Sequence, residues 1–151
     1  MKTKRLLWLC GLLMTFAFGF TSCSEDDGPG STDSLLVGLW KGESYEYWLT
    51  ADGKIKEHNT ISNDDRQLRF NADGTAMTYV YQNGSWEIAV EYTWIYEGGK
   101  LTCETDTGDD VFDVKSLTSS ELVLEHISDR RVVDGVVYEI LNRNTFRKVD
   151  E

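Results

Sequence analysis

Between Trp86 and Glu97 the chain alternates without a break. Trp86, Ile88, Val90, Tyr92, Trp94 and Tyr96 take the even positions, and Glu87, Ala89, Glu91, Thr93, Ile95 and Glu97 the odd ones. In a β-strand, successive side chains point to opposite faces, so period two makes one apolar, aromatic face and one largely charged or small face. On an α-helix the same residues would scatter around the axis. A long strand with one wet side belongs to an antiparallel sheet. Gly98-Gly99 then supplies a two-residue turn tolerant of positive φ, and Leu101 and Cys103 resume the apolar face.

The same period runs through the rest of the chain from Leu35 onward. Leu68 and Phe70 lead into Asn71-Ala72-Asp73-Gly74, where Gly74 fits the left-handed position of a turn, and Thr75, Met77, Tyr79 and Tyr81 return. Trp40 to Trp48 reads as the first strand and Lys54 to Glu57 as a weaker one. Phe112 and Val114 mark another, followed by a turn over residues 117–120 and by Leu122, Leu124 and His126. Asp134-Gly135 turns the chain into Val136, Tyr138 and Ile140, and residues 145–149 close it. That gives about eight or nine strands and no long helix. Turns every 8–12 residues predict an all-β fold, a small up-and-down antiparallel barrel of about eight strands or a sandwich. Closure favours the barrel because it leaves no unpaired edge. A body of this length is expected to enclose a modest cavity at most.

The N-terminus carries a different message. Lys2, Lys4 and Arg5 precede an apolar run from Leu6 to Phe20, which is short for a stable membrane span. The run meets Phe20-Thr21-Ser22-Cys23, which resembles the bacterial lipobox, with phenylalanine where leucine is more usual. Residues 1–22 are therefore expected to be a lipoprotein signal peptide cut between Ser22 and Cys23, with Cys23 carrying the lipid. Attachment through two or three palmitate-type chains is stable where one is marginal. Ser24-Glu25-Asp26-Asp27 looks like the acidic export signal of surface lipoproteins in Bacteroidete-type bacteria. The expected location is the outer membrane, facing the cell surface, with the periplasmic face as the alternative. Residues 23–34 read as an acidic tether and residues 35–151 as one domain.

Charge narrows the partners. The formal net charge of −11 becomes −14 once the three leader cations are gone. Such a body repels phosphate backbones, which argues against nucleic acid as a partner. Of three cysteines, only Cys103 lies in the domain, so no internal disulfide framework is available, and Cys103 reads as a small buried apolar residue.

The strands also carry a resemblance. Gly38-Leu39-Trp40 has the G-x-W form of lipocalins. Together with residues 70–75, 117–122 and 145–149, in that order, it is similar to the lipocalin-like lipoproteins of Bacteroidete-type bacteria. The resemblance implies an up-and-down barrel that binds a small hydrophobic molecule. It also implies that Gly38 and Trp40 close one end, with Arg147, or less well Arg143, lying over the Trp40 ring as a cation–π partner.

Tyr79, Tyr92, Trp94 and Tyr138 are the candidates for residues around a cavity, because their hydroxyls and indole N–H can orient a ligand. Trp48 is placed at the rim. His58 and His126 sit in no metal-ligand spacing, and His126, in register with Leu122 and Leu124, reads as a hydrogen-bonded interior histidine. Asp106-Thr107-Gly108-Asp109-Asp110 lacks the spacing of a calcium loop and reads as a solvated turn. The reading is therefore a non-enzymatic protein with no catalytic residues, no metal and no cofactor. The alternative is a packed barrel serving as a protein-interaction component of an envelope complex, with its protein partner unknown.

Overall fold

The computed structural model describes residues 33–150. The signal peptide, Cys23 with its cleavage site and the tether as far as residue 32 lie outside the described residues. The first element is a four-residue helix, α1 (Asp33–Leu36), which takes in the last two residues assigned to the tether.

Nine strands follow: β1 (Gly38–Ala51), β2 (Lys54–Ser62), β3 (Arg66–Phe70), β4 (Thr75–Gln82), β5 (Ser85–Glu97), β6 (Lys100–Thr105), β7 (Gly108–Leu117), β8 (Glu121–Val133) and β9 (Val136–Val149). All neighbours are antiparallel, and β9 pairs back onto β1 from Leu39↔Val149 to Ala51↔Tyr138, which closes the sheet. The turns fall where the sequence places them, with Gly74, Gly98, Gly99 and Gly135 all at positive φ. The two segments read as separate at 136–140 and 145–149 form one strand, β9, without a break.

The barrel proper has eight strands, and β2 is the extra one. Residues 38–41 of β1 pair with β3, while residues 44–51 pair on the same edge with β2. β2 and β3 thus follow one path, broken at residues 63–65. The break sits where the β1–β9 register shifts between Gly42 and Ser44. There the carbonyl oxygen of Asn63 comes so near Gly42 that a Cβ would lie 2.1 Å from it. Only glycine accommodates that approach.

Above this level the barrel opens. Pairing of β7 with β8 ends at Asp113↔Glu125, whereas β8 with β9 continues to Val133↔Val136. β4 pairs with β3 but not with β2, whose residues are all exposed. At the mouth, a four-stranded sheet ordered β2-β1-β9-β8 therefore faces the free ends of the β4–β5 and β6–β7 hairpins.

The opposite end is sealed. Leu36, Trp40, Phe70, Leu101 and Leu122 are fully buried there, joined by Trp94, Leu124 and Phe146. The Trp40 indole N–H donates to the Leu36 carbonyl at 2.7 Å, which ties α1 across the barrel floor. Trp94 stands edge-on to Phe70 with ring centroids 5.6 Å apart, and its indole donates to the Asn71 carbonyl at 3.2 Å.

One expectation for β5 is corrected. Its even face turns inward only from Val90 to Tyr96. The β4–β5 register shifts between Thr78 and Tyr79, so Ala89 is passed over, Ile88 pairs with Tyr79 and Trp86 with Tyr81. This β-bulge turns the outer half of the strand over. Ile88 is 52% exposed, and Trp86 packs on Tyr81 at 5.2 Å on the outside.

Candidate functional site

The eight strands enclose a cavity of about 610 Å³ that opens at the mouth. Pockets that bury a small molecule run from about 300 to 1,000 Å³, so this one is of ordinary ligand size and larger than the short chain suggests. Its floor is apolar: Leu68, Phe70, Leu101, Cys103, Leu124 and Phe146 face it above the sealed end. Higher up, one wall is polar, built from Tyr45 of β1, His126 of β8, and Asn142 and Asn144 of β9. These side chains share a face because β9 alternates from Phe146 through Asn144 to Asn142, opposite Tyr45 on one flank and His126 on the other.

Of the four cavity candidates from sequence, Tyr92 alone lines the space. Burial pushes its hydroxyl well above the ordinary tyrosine pKa, partly offset by the Thr78 hydroxyl, which donates to it at 3.5 Å. Trp94 lies deeper, within the floor. Tyr79 points outward, its hydroxyl 3.2 Å from the Met77 sulfur, because inner positions on β4 are Ala76 and Thr78. Tyr138 is on the inner face of β9 but two turns of the pleat beyond Asn142, opposite Ala51 in the extended sheet and away from the cavity. Strands of fourteen residues outrun the barrel body, and spacing alone does not reveal where the body stops.

The closed end holds a second correction. Arg147 does not cover Trp40. It is largely exposed and pairs with Glu43 at 3.0 Å, because alternation along β9 sends Phe146 and Lys148 to one side and Arg147 to the other. Lys148 occupies the expected place, its ammonium 5.0 Å from the Trp40 ring centroid and donating to the Leu35 carbonyl at 2.7 Å. Gly38 makes room for it: its φ is 132°, and a Cβ there would stand 2.8 Å from the Lys148 stem. Arg143 lies over Trp48 instead, at 4.9 Å. Trp48 stacks flat on His58 at 4.7 Å, and with Glu46 it occupies the outer face of β1 rather than a rim.

His126 differs from the hydrogen-bonded histidine expected. Its Nδ1 is buried with no partner, and the ring stands edge-on to Phe112 at 5.0 Å. Cys103 is buried as expected, and burial, with the Asp110 carboxylate nearby, pushes its thiol pKa up to about 12. Of the acidic segment read as a solvated turn, only Asp106 and Thr107 form the β6–β7 turn, where the Thr105 hydroxyl donates to the Gly108 carbonyl at 2.8 Å. Gly108, Asp109 and Asp110 open β7, and Asp110 lines the cavity. Among the described residues, no group of His, Cys, Asp and Glu side chains is arranged to hold a metal ion. Neither asparagine of the polar wall stands out in the sequence. The one signal is their period-two register with Phe146.

A lipocalin-like domain family model matches residues 36–124, more than half of the chain. The chain belongs to the lipocalin-like domain family. Solved structures agree on the fold. A lipocalin-like protein from Bacteroides uniformis superposes with a TM-score of 0.53 at 16% identity, over 76% of this chain and 99% of that one. An uncharacterized protein from Bacteroides eggerthii gives 0.51 at 19% identity, over 76% of this chain and 99% of that one. No curated protein sequence matches this lipocalin-like chain.

Proposed function

We propose that this chain is a lipoprotein of the outer membrane whose lipocalin-like barrel binds a small hydrophobic molecule without transforming it. The observation that carries the reading is the 610 Å³ cavity over an apolar floor, sealed at one end and open at the other. A barrel acting only as a packed interaction module would fill that space with side chains. Lipocalin-like folds are typically ligand-binding rather than catalytic, which agrees with this geometry.

The anchoring part of the proposal rests on the lipobox at Phe20-Thr21-Ser22-Cys23 and the acidic residues behind it. α1 enters the barrel at its sealed end, held by Trp40 and Lys148. The tether from Cys23 therefore joins the protein at the end opposite the mouth. Attachment at that end leaves the mouth clear of the anchor.

Two experiments test the two parts. The chain beginning at residue 23, made without lipid, should enhance the fluorescence of the apolar probe N-phenyl-1-naphthylamine saturably. Thr78→Trp, which places an indole inside the cavity, should abolish that enhancement while the far-UV spectrum stays all-β. In cells, radiolabelled palmitate should enter the wild type but not Cys23→Ala, and protease added to intact cells should remove the barrel. A probe that binds Thr78→Trp as well as wild type removes the cavity reading. An unlabelled wild type removes the anchor.

A further inference from the structure

The polar wall has bonding capacity that the protein does not use. The Tyr45 hydroxyl donates to Asn142 Oδ1 at 2.6 Å, and Asn63 Nδ2 donates to Asn144 Oδ1 at 3.4 Å. Both bonds occupy the amide oxygens and leave the amide nitrogens of Asn142 and Asn144 as donors beside the cavity. His126, paired directly across from Asn142, adds its buried and unpartnered Nδ1. Buried polar atoms are ordinarily satisfied, and because the His126 side chain lines the cavity, a turn of its ring brings that nitrogen to a group that arrives from outside. The Phe112 ring stands edge-on to the imidazole, with centroids 5.0 Å apart.

These groups select a head as well as a tail. We propose that the ligand is an uncharged amphiphile with one oxygen-bearing head, a ketone, ester or amide carbonyl or an alcohol. The head sits on Asn142, Asn144 and His126, and the hydrocarbon tail lies against Phe70, Leu101 and Phe146. This rests on the reading of the barrel as a binder of hydrophobic molecules. Amide N–H donors suit a carbonyl oxygen, and an imidazole nitrogen either donates to it or accepts from a hydroxyl. A carboxylate head is disfavoured. The charged side chains around the cavity are Asp65, Asp110 and Arg66, two carboxylates against one guanidinium, and none belongs to the polar row. An anion there would lose its hydration to neutral amides inside a net negative lining.

The test is displacement of N-phenyl-1-naphthylamine from the unlipidated chain by octane, 2-octanone and octanoate, three competitors of one length. The expected order has 2-octanone about tenfold tighter than the other two, the worth of one to two well-made hydrogen bonds. His126→Leu and Asn142→Leu should each narrow the preference for ketone over octane to less than about threefold. Equal displacement by ketone and octane, tightest binding by octanoate, or an undiminished ketone preference in both variants overturns the head-group assignment and leaves the barrel a binder. Failure of the wild type to bind the probe overturns both.

Discussion

Replacing Gly42 by alanine sets a methyl carbon 2.1 Å from the Asn63 carbonyl oxygen and 3.0 Å from its carbonyl carbon. Ordinary contact begins near 3.4 Å, so the 63–65 corner would have to retreat by about 1 Å. No rotamer change relieves a clash with backbone. The corner is held by Asn63 N–H to the Glu43 carbonyl at 3.3 Å, by Arg66 N–H to the Asn63 carbonyl at 3.2 Å, and by the Asn63 side chain on Asn144. Overpacking typically costs about 1–3 kcal/mol, and a clash with backbone falls at the upper end. The more restricted unfolded chain returns about 0.4–1 kcal/mol of that. The net loss is about 2 kcal/mol, which lowers Tm by about 8 °C in a domain of this size. Thermal unfolding followed by circular dichroism measures it. Because Asn63 lines the cavity, N-phenyl-1-naphthylamine affinity should fall as well. A Tm within about 2 °C of wild type would refute the close approach and, with it, the account of why β2 leaves the barrel.

Three further outcomes are expected. Lys148→Met should cost about 1–2 kcal/mol, since it strips the Leu35 carbonyl of its donor and Trp40 of its cation, whereas Arg147→Ala on the exposed face should change Tm by no more than about 2 °C; equal effects would show that the two side chains are misassigned. At pH 8 the native Cys103 thiol, raised from 9.0 to about 12, should react with a disulfide reagent about a thousandfold more slowly than in the unfolded chain. Because the folded state keeps that proton longer, the contribution of Cys103 is complete below pH 9 and is lost as pH rises from 9 through about 12, with Tyr92 acting in the same direction; alkaline unfolding that begins no earlier in wild type than in Cys103→Ala would contradict it. His126→Leu should raise stability by about 1 kcal/mol, because it removes an orphaned polar atom from the interior, and a Tm below wild type would show that Nδ1 is satisfied.

Much of the fold is legible in the chain because antiparallel sheets write themselves in period two. The turns at Asn71–Gly74, Gly98-Gly99 and Asp134-Gly135 announce their hairpins by residue type, and the apolar positions 94, 101, 103, 122 and 124 all reach the core. Errors arise where a bulge changes register. At Ala89 one extra residue turns Trp86 and Ile88 outward, and no composition signal marks it. The same limit explains Tyr79 and Tyr138, since alternation assigns a face only relative to neighbours and says nothing of where the barrel body ends. At the closed end the sequence points to a cation over Trp40, but the choice between Arg147 and Lys148 needs the register of β9 against β1. The polar wall stayed hidden for a simpler reason. Asn142 and Asn144 lie in Leu141-Asn142-Arg143-Asn144-Thr145, which falls between the two segments read as strands and becomes the middle of one strand through its pairings with β1 and β8. Asparagine is a poor strand former in general, and here hydrogen bonds from Tyr45 and Asn63 hold it.

Methyl NMR of the unlipidated chain, recorded with and without saturating N-phenyl-1-naphthylamine, addresses the occupied cavity most directly. Leu68, Leu101, Leu124 and Val90 face the enclosed space, whereas Ile95 and Val111 lie in a row on the outer surface. Ring-current shifts at the first four, with Ile95 and Val111 unmoved, are the expected pattern. Shifts confined to the outer pair, or none at saturation, would mean that no molecule enters the barrel.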